Sequence, residues 1–167
     1  MKLNLLTILF ILSNSFSSYA QWNQINSPTT KDLYCIYFVN DSIGFVTDGD
    51  SLIYKTVDGG TNWTPYLISA NTNLTSIYFL NKDTGFVVGG DISGGIIAKT
   101  IDGGISWNLL SIGLLQLESV RFYNDLIGFA VGPSFQNGGQ SCMTIDGGQS
   151  WTISTTIFQD LKAVYPI

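Results

Sequence analysis

The chain has 167 residues and a formal net charge of −5, and only 11% of the residues are charged. It contains no histidine, one arginine and one glutamate. This excludes a nucleic-acid partner, for want of a basic stripe to neutralise phosphates, electrostatic attraction to an anionic membrane, and Ser-His-Asp, Cys-His or histidine-based zinc chemistry.

Lys2 opens the chain, and Leu3 to Leu12 is apolar apart from Asn4 and Thr7. That run is too short for the ~30 Å core of a bilayer. Ser18-Tyr19-Ala20 supplies a small-x-small cleavage pattern. Residues 1–20 therefore read as a secretory signal, with the mature chain starting at Gln21. Export implies a periplasmic, cell-surface or extracellular protein with no membrane span after cleavage. The abundance of Gly, Asn, Ser, Thr and aromatic residues suits a turn-rich β protein.

From residue 31 onward the sequence repeats. Leu33-Tyr34-Cys35-Ile36-Tyr37-Phe38 aligns with Leu74-Thr75-Ser76-Ile77-Tyr78-Phe79 and with Leu117-Glu118-Ser119-Val120-Arg121-Phe122. Such β-branched and aromatic runs predict strands. Each is followed by an Asn turn running into Gly-Phe, at Asn40 to Phe45, Asn81 to Phe86 and Asn124 to Phe129. The glycine there is expected to supply positive φ. A second strand follows (Gly85 to Gly89 in the second copy), then a third (Leu52 to Thr56, Ile96 to Thr100, Gln140 to Thr144). The third strand enters a motif that recurs every 44 residues: Thr56-Val57-Asp58-Gly59-Gly60-Thr61-Asn62-Trp63, Thr100-Ile101-Asp102-Gly103-Gly104-Ile105-Ser106-Trp107 and Thr144-Ile145-Asp146-Gly147-Gly148-Gln149-Ser150-Trp151. A fourth strand leaves from each Trp. Four short antiparallel strands per repeat of this length predict an all-β propeller built of blades at 31–69, 72–113 and 115–156. A β-sandwich needs no fixed period and fits less well.

The motif has a mechanical logic. Its Asp can accept backbone N–H bonds from its own turn, and its glycines let that turn close. The Trp buries apolar area beside it. Thr56, Asp58, Gly60 and Trp63, Thr100, Asp102, Gly104 and Trp107, and Thr144, Asp146, Gly148 and Trp151 are thus read as structural. These residues resemble the Asp-box, or bacterial neuraminidase repeat, at every fixed position of Ser/Thr-x-Asp-x-Gly-x-x-Trp. The longer unit is similar to the propellers of the photosystem II assembly and stability factor family and of related exported bacterial repeat proteins.

The Asp-box resemblance raises sialidase chemistry, which needs an arginine cluster and a tyrosine–glutamate nucleophile. Arg121 and Glu118 alone cannot supply them. Among the remaining carboxylates, Asp50 and Asp91 share one repeat position, which favours a turn role. Asp48-Gly49-Asp50 matches no calcium-loop spacing. No cofactor, metal site or catalytic residue is expected. Cys35 and Cys142 lie two repeats apart, beyond the ~7 Å reach of a disulfide, and read as buried free thiols.

Tyr37, Tyr78, Arg121 and Tyr165 occupy one position of the first strand. Tyr and Arg there suit protein recognition, against the plainer reading of blade-to-blade packing. In the assembly-factor family an arginine-rich patch is associated with partner binding; here only Arg121 matches.

The repeat register leaves incomplete pieces at both ends. Trp22 falls in phase with Trp63, so residues 21–27 read as an orphan fourth strand, and 160–167 as the start of a fourth blade. Three blades and two orphan strands cannot close a ring, which predicts an open arc and a chain that is part of a longer frame. The function expected is an exported, non-enzymatic scaffold or protein-recognition module over residues 21–167. The alternative is part of a carbohydrate-active or carbohydrate-binding propeller.

Overall fold

A computed structural model describes residues 24–68, 72–91, 94–113, 116–134, 138–155 and 162–165. Residues 1–20, where a secretory signal is expected, lie outside them, as do Gln21, Trp22 and Leu161. Among the described residues twelve strands form three four-stranded sheets, each an antiparallel meander in chain order. Blade 1 holds β1 (Cys35–Phe38), β2 (Gly44–Thr47), β3 (Leu52–Thr56) and β4 (Thr64–Leu67). Blade 2 holds β5 (Asn73–Phe79), β6 (Gly85–Asp91), β7 (Gly94–Thr100) and β8 (Asn108–Ser111). Blade 3 holds β9 (Ser119–Phe122), β10 (Gly128–Ser134), β11 (Gly138–Thr144) and β12 (Thr152–Thr155). None of these sheets closes on itself, and the described residues form an open propeller arc. Among the described residues no helix is long and apolar enough to cross a membrane.

Neighbouring blades meet through their first two strands: β1 and β2 against β5, and β5 and β6 against β9. The first strands are therefore the inner ones. Two cores fill the two seams. One gathers Phe45 and Ile53 of blade 1 with Ile77, Phe79 and Ala98 of blade 2; the other gathers Phe86 and Ile97 of blade 2 with Val120, Phe122 and Cys142 of blade 3. Each seam repeats one aromatic stack. Phe45 lies on Phe79 at 4.2 Å between centroids, and Phe86 lies on Phe122 at 4.3 Å. The box Trp of the second blade of each pair meets the stacked ring edge-on, Trp107 on Phe79 and Trp151 on Phe122.

One expectation is corrected. Gly44, Gly85 and Gly128 do not have positive φ. They are glycines because the Phe opposite them on the paired strand lies flat over them: a Cβ would stand 2.6 Å from the Phe38 ring, 2.5 Å from Phe79 and 2.6 Å from Phe122. The turn before them is held instead by Asn. Asn40 Oδ1 accepts from the N–H groups of Ser42 and Ile43, and Asn81 and Asn124 repeat this.

The described end segments, 24–34 and 162–165, form no strands, yet both sit in the repeat's register. Ile25 reaches the second box glycine of blade 1, Gly60, where Phe45 and Phe86 meet Gly104 and Gly148 of the later blades. Val164 N donates to Ser119 Oγ at 3.3 Å, as Val120 N does to Ser76 Oγ at 3.4 Å one blade earlier. Cys142 is buried and Cys35 only half-buried, both free.

Candidate functional site: the inner-strand mouth

The three Asp-boxes fold alike. The Thr56 hydroxyl accepts from Gly60 N at 2.9 Å and donates to Asp58 Oδ1 at 2.8 Å, and Asp58 Oδ1 accepts from Asn62 N at 2.8 Å. In the later copies Ser106 and Ser150 take the place of Asn62, with Thr100–Asp102 at 2.7 Å and Thr144–Asp146 at 2.8 Å. These donors hold the carboxyls ionised. The Asn62 backbone and side-chain amides, with the Thr56 hydroxyl, lower Asp58 to about 2. Asp102 and Asp146 are held still lower, first by the hydroxyls and N–H groups of Ser106 and Ser150. A carboxylate so engaged cannot serve as a general acid near neutral pH. The first glycine of each pair, such as Gly59 (φ 71°), donates its N–H back to the Asn turn of its own blade. The second faces the preceding blade. Trp107 Nε1 donates to Gly104 O at 3.3 Å, whereas the buried indole N–H groups of Trp63 and Trp151 have no acceptor among the described residues.

Asp48 is also a fastener. It is 3% exposed, accepts from Asp50 N at 3.0 Å and takes the Tyr54 hydroxyl at 3.1 Å. Asp50 pairs with Lys31 at the surface, and Asp91 ends β6. Among the described residues no three His, Cys, Asp or Glu side chains converge on one point.

Chemistry gathers instead at the inner strands. Tyr34, Thr75, Glu118 and Lys162 hold one register position in successive copies, and together they line a cavity of about 240 Å³. A bulge between Leu74 and Ser76 leaves Thr75 out of the β5–β6 ladder, and bulges re-aim side chains in this way. Its hydroxyl donates across the seam to Leu117 O at 2.5 Å. Glu118 Oε1 accepts from Lys162 Nζ at 3.1 Å. The mouth thus offers a phenol, a hydroxyl and an ion pair, set by a scaffold that is otherwise repetitive. Sequence reasoning did not single these four out. The signal was present, since a position needed for stacking recurs and this one differs in every copy.

The register position three residues further along carries the four recognition candidates. Tyr37 and Tyr78 lie 5.6 Å apart between ring centroids, and the Arg121 guanidinium sits 5.8 Å from the Tyr78 centroid. Tyr37 donates to Phe79 O at 2.9 Å across the first seam. Burial raises the Tyr37 phenol above its ordinary range, and the adjacent Tyr78 adds to this. Arg121 Nη1 donates to Val120 O at 2.6 Å and touches Ser76 Oγ at 3.4 Å. Arg121 makes no ion pair among the described residues. Tyr165, at the equivalent place in the next copy, is 76% exposed. The structure therefore brings Tyr37, Tyr78 and Arg121 into one ladder and leaves Tyr165 at the surface.

Solved structures share this architecture. A structure described as YCF48 bound to D1 peptide matches with a TM-score of 0.63 and 24% identity, over 81% of this chain and 43% of that one. YCF48 from Cyanidioschyzon merolae matches with a TM-score of 0.61 and 21% identity, over 80% of this chain and 40% of that one. An ancestral GH74 enzyme matches with a TM-score of 0.64 and 17% identity, over 83% of this chain and 20% of that one. These likenesses establish the fold, and the chain spans less than half the length of each of these proteins. No curated protein sequence matches it. The family model described as photosynthesis system II assembly factor YCF48 matches residues 14–113, more than half of the sequence, and the chain belongs to that family.

Proposed function

We propose that this chain is a non-catalytic recognition module that holds a protein partner at its inner-strand mouth, and that it works after export from the cytoplasm. The observation that carries this reading is the convergence of the non-repeating residues Tyr34, Thr75, Glu118 and Lys162 on one cavity, together with a half-buried Arg121, three residues beyond Glu118 in the sequence, that has no carboxylate partner among the described residues. Tyr and Arg are the side chains that most often anchor protein contacts. The YCF48 relative described with a bound peptide supports a peptide as the form of that contact. The three box aspartates are committed to their turns and Glu118 is engaged by Lys162, which weighs against these four as the free carboxylate pair of a glycoside hydrolase.

The reading is tested by panning a library of linear peptides against the chain. Binding peptides are expected, and Arg121→Gln combined with Tyr34→Ala is expected to abolish their capture while leaving the β-sheet spectrum unchanged. No enrichment, or enrichment indifferent to both substitutions, would sink it. For the export arm, N-terminal sequencing of the protein recovered from an expressing cell's envelope should begin at Gln21.

A further inference from the structure

The groove where blade 2 meets the third Asp-box departs from the equivalent groove one blade earlier. A cavity of about 340 Å³ opens there between Ile97 and Lys99 of β7, Asn108 and Leu110 of β8, and Gln149 and Trp151 of the box. At the junction of blade 1 with the second box the same positions carry Ile53, Lys55, Thr64, Tyr66, Ile105 and Trp107. Three of the six recur, and they serve the seam. Lys99 Nζ donates to Gly147 O at 2.7 Å and lies 5.6 Å from the Phe86 centroid, while Lys55 lies 5.9 Å from the Phe45 centroid. Three change together at one place. Tyr becomes Leu110, which removes a ring; Thr and Ile become Asn108 and Gln149, which bring two amides.

Side chains needed for stacking recur along a repeat array. A cavity of about 350 Å³ lies at the same register of blade 3, lined by Ser141, Met143, Ile145, Ser150, Thr152 and Ser154, so the groove itself belongs to the repeat; the two amides beside Trp151 do not recur, and stacking does not explain them. The cavity lies within the ordinary range for small-ligand sites, about 300–1,000 Å³. Its walls combine apolar surface from Ile97, Leu110 and Trp151 with hydrogen-bonding groups of both kinds. Asn108 offers a donor and an acceptor. Gln149 spends its amide N–H on Asp146 O at 3.0 Å and keeps its oxygen. Lys99 uses one of its three donors on Gly147 O. Among the described residues no carboxylate lines the groove.

An apolar face rimmed by hydroxyls that both give and accept hydrogen bonds is the chemistry of a pyranose ring. We propose that this inter-blade groove is a saccharide-binding site for one or two rings, separate from the inner mouth. The site stands whether or not the mouth holds a protein.

The test titrates the full chain, labelled with ¹⁵N, with glucose, galactose, mannose, N-acetylglucosamine, glucuronic acid, cellobiose and diacetylchitobiose. At least one is expected to shift the amide signals of Gly148 to Trp151 and of Asn108 to Leu110. The triple substitution N108T/L110Y/Q149I refills the groove with side chains the same fold carries one blade earlier. It should weaken that saccharide by about tenfold or more, while Arg121→Gln binds it unchanged. Should the triple variant not fold, Leu110→Tyr alone carries the test. A panel in which no sugar moves those signals overturns the site, as does binding unchanged by the refilled groove, or a peptide in place of a sugar as the ligand that shifts them.

Discussion

Gly104 of the second Asp-box lies against the Phe45 ring of the preceding blade, so closely that a Cβ would stand 2.7 Å from Phe45 Cε1. Its φ is 83°, where an L side chain is also strained. Gly148 repeats the contact on Phe86, whereas the nearest neighbour of a Cβ on Gly60 would be the flexible end of Ile25 at 3.1 Å. Gly104→Ala and Gly148→Ala should each destabilise by about 2–4 kcal/mol, the sum of overpacking and left-handed strain. Gly113→Ala, at φ 60° with nothing within 4 Å, should cost only about 1 kcal/mol of strain. Urea unfolding midpoints check the order, with Gly60→Ala expected between the two groups.

Gly85 tests a different cost. Its backbone is ordinary, and only the Phe79 ring stands in the way of a side chain. Gly85→Ala should destabilise by about 1–3 kcal/mol through overpacking. Shrinking the ring with Phe79→Leu should recover part of that loss, so a double-mutant cycle is expected to be non-additive. Additive costs would mean that the glycine is there for another reason.

The box tryptophans should not be equivalent. Trp107 and Trp151 each meet a Phe–Phe stack within a seam, while Trp63 meets Phe38, which is 40% exposed. Trp107→Ala should cost about 3 kcal/mol, near the lower end for a large aromatic. Trp63→Ala should cost visibly less in the same thermal or denaturant measurement.

Acid should loosen the boxes late. Asp58 falls from its ordinary 3.8 to about 2 in the folded chain, and Asp102 and Asp146 fall further. A depressed carboxyl contributes its stabilisation above the unfolded value and loses it as pH falls through the folded one. Stability from these groups should therefore be level above about pH 4 and decline toward pH 2. Asp102→Asn should be less stable at neutral pH and show a shallower acid decline. An identical acid profile for the variant would remove Asp102 from the account.

The thiols should differ in reactivity. Burial pushes Cys142 up to about 12, and it raises the half-buried Cys35 as well, against the pull of nearby Arg121. The thiolate is the reactive form. Cys142 should resist a disulfide reagent until the chain unfolds, while Cys35 reacts slowly in the folded state. Mass spectrometry of the modified peptides distinguishes the two.

Much was legible in the sequence because a repeat states its architecture several times. Thr56, Asp58, Gly60 and Trp63 recur in one register, so the turn, the blade and the open arc followed from local chemistry and period alone. The local hydrogen bonds of the box were legible for the same reason: donor and acceptor lie within a few residues. The role of Gly44, Gly85 and Gly128 was not legible. A glycine under an aromatic ring and a glycine at positive φ look the same in a sequence, and only the strand register tells them apart. The mouth at Tyr34, Thr75, Glu118 and Lys162, and the groove at Asn108, Leu110 and Gln149, belong to the tertiary structure. Each joins segments tens of residues apart that meet only because blades stack, and the distance at which they stack is decided by Phe45 on Phe79 and Phe86 on Phe122.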